Sequence, residues 1–138
     1  MGTEELRFEV PPDYDKCFGC GKSNPIGLKL KFRNENGVAR CEFTPEPEHQ
    51  GWPGVVHGGI LSTILDEAMG WAALFNGKKT VTGKLEVRFR RPARIGEPLL
   101  VEGKIIRGGE RFLMVKAEAR DRDGNTVAEG TGTMFVIP

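Results

Sequence analysis

The chain has 138 residues, with 20 Lys and Arg against 19 Asp and Glu, and a formal net charge of +1. That length suits one domain, over residues 1–138, with a sizeable core, and the charge balance excludes nucleic-acid binding driven by a bulk basic field. No apolar run reaches membrane-spanning length, no secretory h-region is visible and the three cysteines make an odd count. A soluble cytoplasmic protein with reduced thiols is therefore expected, with neither nucleic acid nor membrane as partner.

Residues 1–27 read as an N-terminal arm and loop, marked by Pro11-Pro12, the turn Cys17-Phe18-Gly19-Cys20-Gly21 and Asn24-Pro25. Cys17-x-x-Cys20 has the spacing of half a zinc ribbon, with Cys41, His49 and His57 as candidate further ligands. Those three are scattered along the chain, so the expectation is a turn with two small buried residues, and no metal or cofactor. Gly21-Lys22-Ser23 imitates the end of a phosphate-binding loop, but Lys16 stands where the first glycine belongs and Asn24-Pro25 replaces the helix. Leu28-Lys29-Leu30-Lys31-Phe32 alternates apolar and basic residues as a half-buried strand does. Asn36-Gly37 predicts a tight turn and Val38 to Phe43 the returning strand. A loop rich in Pro, Glu and Gly runs from Thr44 to Pro53.

Gly58 to about Phe75 predicts the one long helix, with Ile60, Leu61, Ile64, Leu65, Ala68, Trp71, Ala72 and Phe75 at helical spacings. Apolar side chains cover most of its circumference, which predicts near-complete enclosure. Four strand-like segments follow: Val81 to Phe89, closed by Pro92; Leu99 to Arg107; Leu113 to Arg120; and Thr126 to Ile137. One buried helix with a mainly antiparallel sheet around it is an α+β design.

The start of that helix carries the chemistry. His57 and Gly58-Gly59 open the helix, and an open helix N-terminus offers unpaired N–H groups to a developing negative charge. Asp66, two turns on, is costly among Ile64, Leu65, Ala68 and Met69 unless it has a partner or a task. Singly, His57 can be a structural histidine, the glycines a packing device and Asp66 a solvated carboxylate; at this spacing they suggest a site that polarises a carbonyl and activates water. Gly58 and Asp66 are about 12 Å apart along one helix at 1.5 Å per residue, too far to serve one carbonyl. Two such helices running antiparallel in a two-fold dimer bring Asp66 of one beside Gly58 of the other. Arg88, Arg90, Arg91 and Arg94 cluster around Pro92, and Arg107 and Arg111 flank a second turn; they read either as solvated hairpin ends or as a phosphate clamp.

The chain resembles the hotdog-fold acyl-CoA thioesterases, in the subfamily of the phenylacetate-pathway thioesterases. Cys17-Phe18-Gly19-Cys20, Asn24-Pro25-x-Gly27-Leu28, Gly54-x-x-His57-Gly58-Gly59-x6-Asp66 and Phe89-x-Arg91-Pro92-Ala93-x-x-Gly96-Glu97 carry the likeness. It implies a long central helix wrapped by an antiparallel sheet, paired as a homodimer and often as a dimer of dimers. It implies hydrolysis of acyl- or aryl-acyl-CoA to free acid and CoA. By the resemblance, Asp66 matches the general base or nucleophile, Gly58 the oxyanion donor, His57 a residue that positions the thioester and Thr82 the hydroxyl that holds the carboxylate or its water. Arg90, Arg91, Arg94, Arg107 and Arg111 fall where relatives contact coenzyme A. Gly59 is a second candidate donor to the carbonyl. Many relatives carry Asn where this chain has Gly51, so Gln50 is the candidate substitute. The acyl chain is expected along Ile60, Leu61 and Met69. Two other readings compete. One is a hotdog-type hydroxyacyl-thioester dehydratase built on Glu67, for which the His49 and His57 spacings are wrong. The other is a non-catalytic acyl-CoA sensor.

Overall fold

The computed structural model describes residues 12–138, so the first eleven residues of the predicted arm, Pro11 included, lie outside the described ones. After a 3-10 turn at Pro12–Lys16 come β1 (Arg33–Glu35), β2 (Val38–Phe43), a 3-10 turn at Pro47–His49, α1 (Gly58–Phe75), β3 (Lys79–Phe89), β4 (Leu99–Arg107), β5 (Phe112–Arg120) and β6 (Thr126–Ile137). The strands form one antiparallel sheet in the order β1-β2-β4-β5-β6-β3. The sheet curls around α1, as the α+β hotdog reading implies.

The helix lies unusually deep against the sheet, and glycines let it. A Cβ on Gly103 of β4 would sit 2.3 Å from the Ala68 carbonyl oxygen, and one on Gly132 of β6 would sit 2.7 Å from Met69 Sδ. Ile64, Leu65, Ala68, Met69, Ala72 and Ala73 are fully buried on that side, against Val101, Val115 and Ala119. Each large aliphatic side chain so enclosed contributes about 1.5–3 kcal/mol. Asn76 and Gly77 end the helix: their N–H groups return to Ala73 O and Leu74 O respectively, and Gly77 takes φ 82°. No helix among the described residues is long and apolar enough to cross a membrane.

Two strand expectations need correction. Leu28 to Phe32 keeps the predicted burial alternation, but it joins no ladder among the described residues. Leu28 and Leu30 donate instead to Phe18 O and Gly19 O of the preceding loop, and Lys29 takes φ 54°, outside any extended strand. In β3 the simple alternation breaks at Gly83, where the register with β6 shifts between Thr82 and Lys84. The Phe135 ring covers Gly83 so closely that a Cβ there would lie 1.9 Å from it. The bulge turns Thr82 onto the inner face with Leu85 and Val87 and leaves Val81 on the outer face beside Phe135.

Candidate active site

Asp66 lies on the partly exposed flank of α1, across from β3. Thr82 Oγ1 donates to Asp66 Oδ1 at 2.5 Å. The contact exists because the Gly83 bulge turns Thr82 inwards. β3 is an edge strand, with β6 on one side and no strand among the described residues on the other. The Asp66–Thr82 pair therefore sits beside an uncovered sheet edge.

The helix N-terminus is built by His57. Its backbone is extended (φ −60°, ψ 135°), its carbonyl accepts from Ile60 and Leu61, and its Nδ1 accepts the Gly59 N–H at 2.8 Å. That bond corrects one expectation: Gly59 N–H is occupied by the cap, so it is not a free donor to a carbonyl. Gly58 N–H makes no hydrogen bond among the described residues, as the first helical N–H normally does not. It carries the positive end of the helix dipole. The hydroxyls of Ser62 and Thr63 bond back to Gly58 O and Gly59 O and so leave the N–H groups alone.

A cavity of about 370 Å³ opens at this end, lined by Gly51, Trp52, Val55, Val56, His57 and Gly58. Gln50 Oε1 accepts the Gly54 N–H at 2.9 Å, which spends its side-chain oxygen on the loop. A Cβ on Gly51 would lie 3.2 Å from His57 Cα, so the glycine keeps space open beside the histidine. Trp52, which sequence reasoning passed over, is 83% exposed at the lip of this cavity. A lone tryptophan between Gly51 and Pro53 was the available signal. Phe89 lies over Gly58, with its ring 3.4 Å from where a Cβ would stand.

The predicted acyl path needs revision within the chain. Leu61 and Met69 are buried against the sheet, and the more open flank of α1 carries Ile60, Thr63, Asp66 and Gly70. The arginines divide into two groups. Val127 O accepts the N–H groups of Arg90 and Arg91, whereas Arg111 O accepts the Val136 N–H nine positions along β6. At about 3.3 Å per residue the two groups stand about 30 Å apart. Arg94 pairs with Val55 in an isolated bridge beside the Gly58 cavity, and the Arg90 side chain is engaged with Glu129 at 3.1 Å. Arg107 and Arg111 are exposed at the opposite end, the end nearer Thr82.

Glu67 faces away from both histidines. It accepts from Cys17 Sγ at 3.1 Å, and burial pushes its carboxyl pKa up. His49 is committed elsewhere, accepting the Glu46 N–H at 2.9 Å and packing on Phe43. Among the described residues, neither His49 nor His57 is hydrogen-bonded to Glu67.

A long helix wrapped by an antiparallel sheet defines the hotdog fold of thioester hydrolases. The chain belongs to the thioesterase superfamily, whose family profile matches residues 53–128. It is 34% identical over 113 residues, 80% of each chain, to a Saccharolobus solfataricus protein whose esterase name is provisional. It is 30% identical over 125 residues to the acyl-coenzyme A thioesterase THEM4 of Bos taurus, covering 88% of this chain and 52% of that one. The crystal structure of RHA08564, a thioesterase superfamily protein, superposes with TM-score 0.83 at 29% identity, over 89% of this chain and 61% of that one. The chain thus spans about half of THEM4 and less than two thirds of RHA08564.

Proposed function

We propose that this protein hydrolyses acyl-CoA thioesters at sites shared between two copies of the chain. The carrying observation is the Thr82–Asp66 hydrogen bond of 2.5 Å beside the uncovered edge of β3, with the free Gly58 N–H far along the same helix. A carbonyl held at Gly58 of one chain needs a carboxylate from elsewhere, and a two-fold related copy docked across β3 supplies Asp66. An eleven-residue edge strand with an exposed face is also a surface that soluble proteins normally cover.

In this reading the Gly58 N–H and the helix dipole stabilise the oxyanion. Asp66 of the other copy acts as general base on water or as nucleophile. Thiolate leaves readily. Cross-chain pairing also gives the two arginine groups a common task. The Arg107–Arg111 turn lies at the Thr82 end of its own chain, so docking sets it near the partner's Gly58 end, where the partner's Arg91 and Arg94 stand. A phosphate-bearing coenzyme A moiety fits such a basic rim. THEM4's name supports CoA thioesters as substrates.

The test is thiol release from a panel of short, long and aromatic acyl-CoAs by the wild-type chain and by Asp66→Asn. Turnover by the wild type and a fall of about 10²–10⁴-fold in the variant, at unchanged oligomeric state, are expected. Near-normal turnover by the variant excludes the assignment. Tight binding without thiol release would support the sensor reading.

A further inference from the structure

The loop that leads into the fold carries two cysteines that thioester hydrolysis does not use. Its backbone is closely wound: Cys17 N–H donates to Tyr14 O at 3.1 Å and Gly21 N–H to Cys17 O at 2.8 Å. The loop also lies directly on Glu67 of α1, since a Cβ on Gly19 would stand 2.1 Å from Glu67 Cγ. As a result Cys17 Sγ, Cys20 Sγ and a Glu67 carboxylate oxygen lie within 4.8 Å of one another. A second, independent feature points into the same cluster. The Trp71 Nε1–H, one turn beyond Glu67, is buried without an acceptor and is turned towards Cys20 and Glu67 without reaching good hydrogen-bond geometry to either. A donor aimed from outside at sulfur and carboxylate is what an anionic ligand set uses to hold its orientation.

Sequence reasoning set metal aside because Cys41, His49 and His57 are scattered. The fold supplies a different third donor, 50 residues from Cys17 in sequence. Two thiolates and a carboxylate match the soft and borderline donors that zinc takes at about 2.0–2.3 Å in a tetrahedral shell. Thiolate donors argue against magnesium or calcium. We propose that Cys17, Cys20 and Glu67 form a structural site for a zinc-class divalent cation, with water as fourth ligand. Such a site fastens the N-terminal loop to α1 at the residue next to Asp66.

The full chain, reduced, stripped with chelator and titrated with Co²⁺, should show visible ligand-field bands and a thiolate-to-metal charge-transfer band that saturate at one metal per chain. Reconstitution with Zn²⁺ should give one zinc per chain and raise the melting temperature. Cys17→Ser with Cys20→Ser should abolish both signals, Glu67→Gln should weaken binding roughly tenfold or more, and Cys41→Ala should keep one equivalent. If the serine variant fails to fold, wild-type protein decides alone: equimolar Zn²⁺ should protect Cys17 and Cys20 from alkylation, as located by peptide mass. A cobalt titration without charge transfer, or alkylation of both thiols at one rate with and without zinc, overturns the proposal. None of these readouts depends on thioester hydrolysis.

Discussion

In the proposed mechanism, a single hydroxyl at Asp66 determines which carboxylate oxygen faces chemistry. Thr82 donates to Oδ1 at 2.5 Å, and the proposal gives Oδ2 the task of meeting water or an acyl carbon. Thr82 lies on the exposed flank of an edge strand, so removing its hydroxyl should disturb the catalytic geometry more than the fold. Thr82→Val keeps the shape and loses the donor. A hydrogen bond worth about 1–1.5 kcal/mol at the reacting group corresponds to roughly a tenfold fall in kcat. Thr82→Ser should recover most of it. Steady-state thiol release with unchanged melting temperature checks this, and a valine variant with wild-type kcat would detach Thr82 from the reaction. The residue was legible in the sequence only through the resemblance. Strict alternation sets Thr82 opposite Leu85, and only the bulge at Gly83 brings the two to one face. No residue pattern announces a bulge whose cause is the Phe135 ring of another strand.

Among the elements, α1, β4 and β6 have the bounds that their periodicity and turns predict, because each signal is local. The failures involve partners remote in sequence. Leu28 to Phe32 has the composition of a strand but, among the described residues, its N–H groups go to the loop at Phe18 and Gly19 rather than to a strand. Gly103 reads as a weak point in a strand, yet it is where the helix backbone touches the sheet. Gly103→Ala would press a methyl group against the Ala68 carbonyl oxygen, a backbone atom that cannot rotate away. A loss of about 1–3 kcal/mol is expected, read as a lower urea midpoint at an unchanged m-value. The outer face of the sheet makes a second prediction. Glu102 bridges Arg40 at 2.8 Å and Arg120 at 3.1 Å, while Glu118 accepts from Arg120 at 2.6 Å and from the Thr126 hydroxyl. Burial works to raise the Glu118 carboxyl pKa, but Thr126 and Arg120 outweigh it and hold it below the usual value. Because the folded value lies below the unfolded one, the stabilisation is present above about pH 4.3 and is lost as pH falls through the folded value. Glu118→Gln should therefore melt lower than wild type at neutral pH, by about 1 kcal/mol or less, and the two should converge as pH falls through the folded value. Parallel melting curves at every pH would show that the carboxylate does not carry the effect.

For the whole molecule the decisive quantity is the separation of Gly58 and Asp66, about 12 Å along one rigid helix. A composite site predicts that two inactive chains can repair each other. Gly58→Pro removes the N–H without breaking the helix: proline suits the first helical position, and His57 before it is already extended at ψ 135°. Asp66→Asn removes the carboxylate. Each variant alone lacks one half of both sites. In a mixed dimer one site combines intact Gly58 from the Asp66→Asn chain with intact Asp66 from the Gly58→Pro chain, and the other site carries both defects. Random re-pairing makes half the dimers mixed, each with one working site of two, so about a quarter of wild-type activity should return. If Gly58 and Asp66 served one carbonyl within a chain, mixing would restore nothing. Unfolding and refolding the two variants together, with separately refolded samples as the control, distinguishes the outcomes by rate alone. Restoration would also fix the antiparallel placing of the helices, because a parallel pair sets Asp66 beside Asp66 and leaves Gly58 as remote as before.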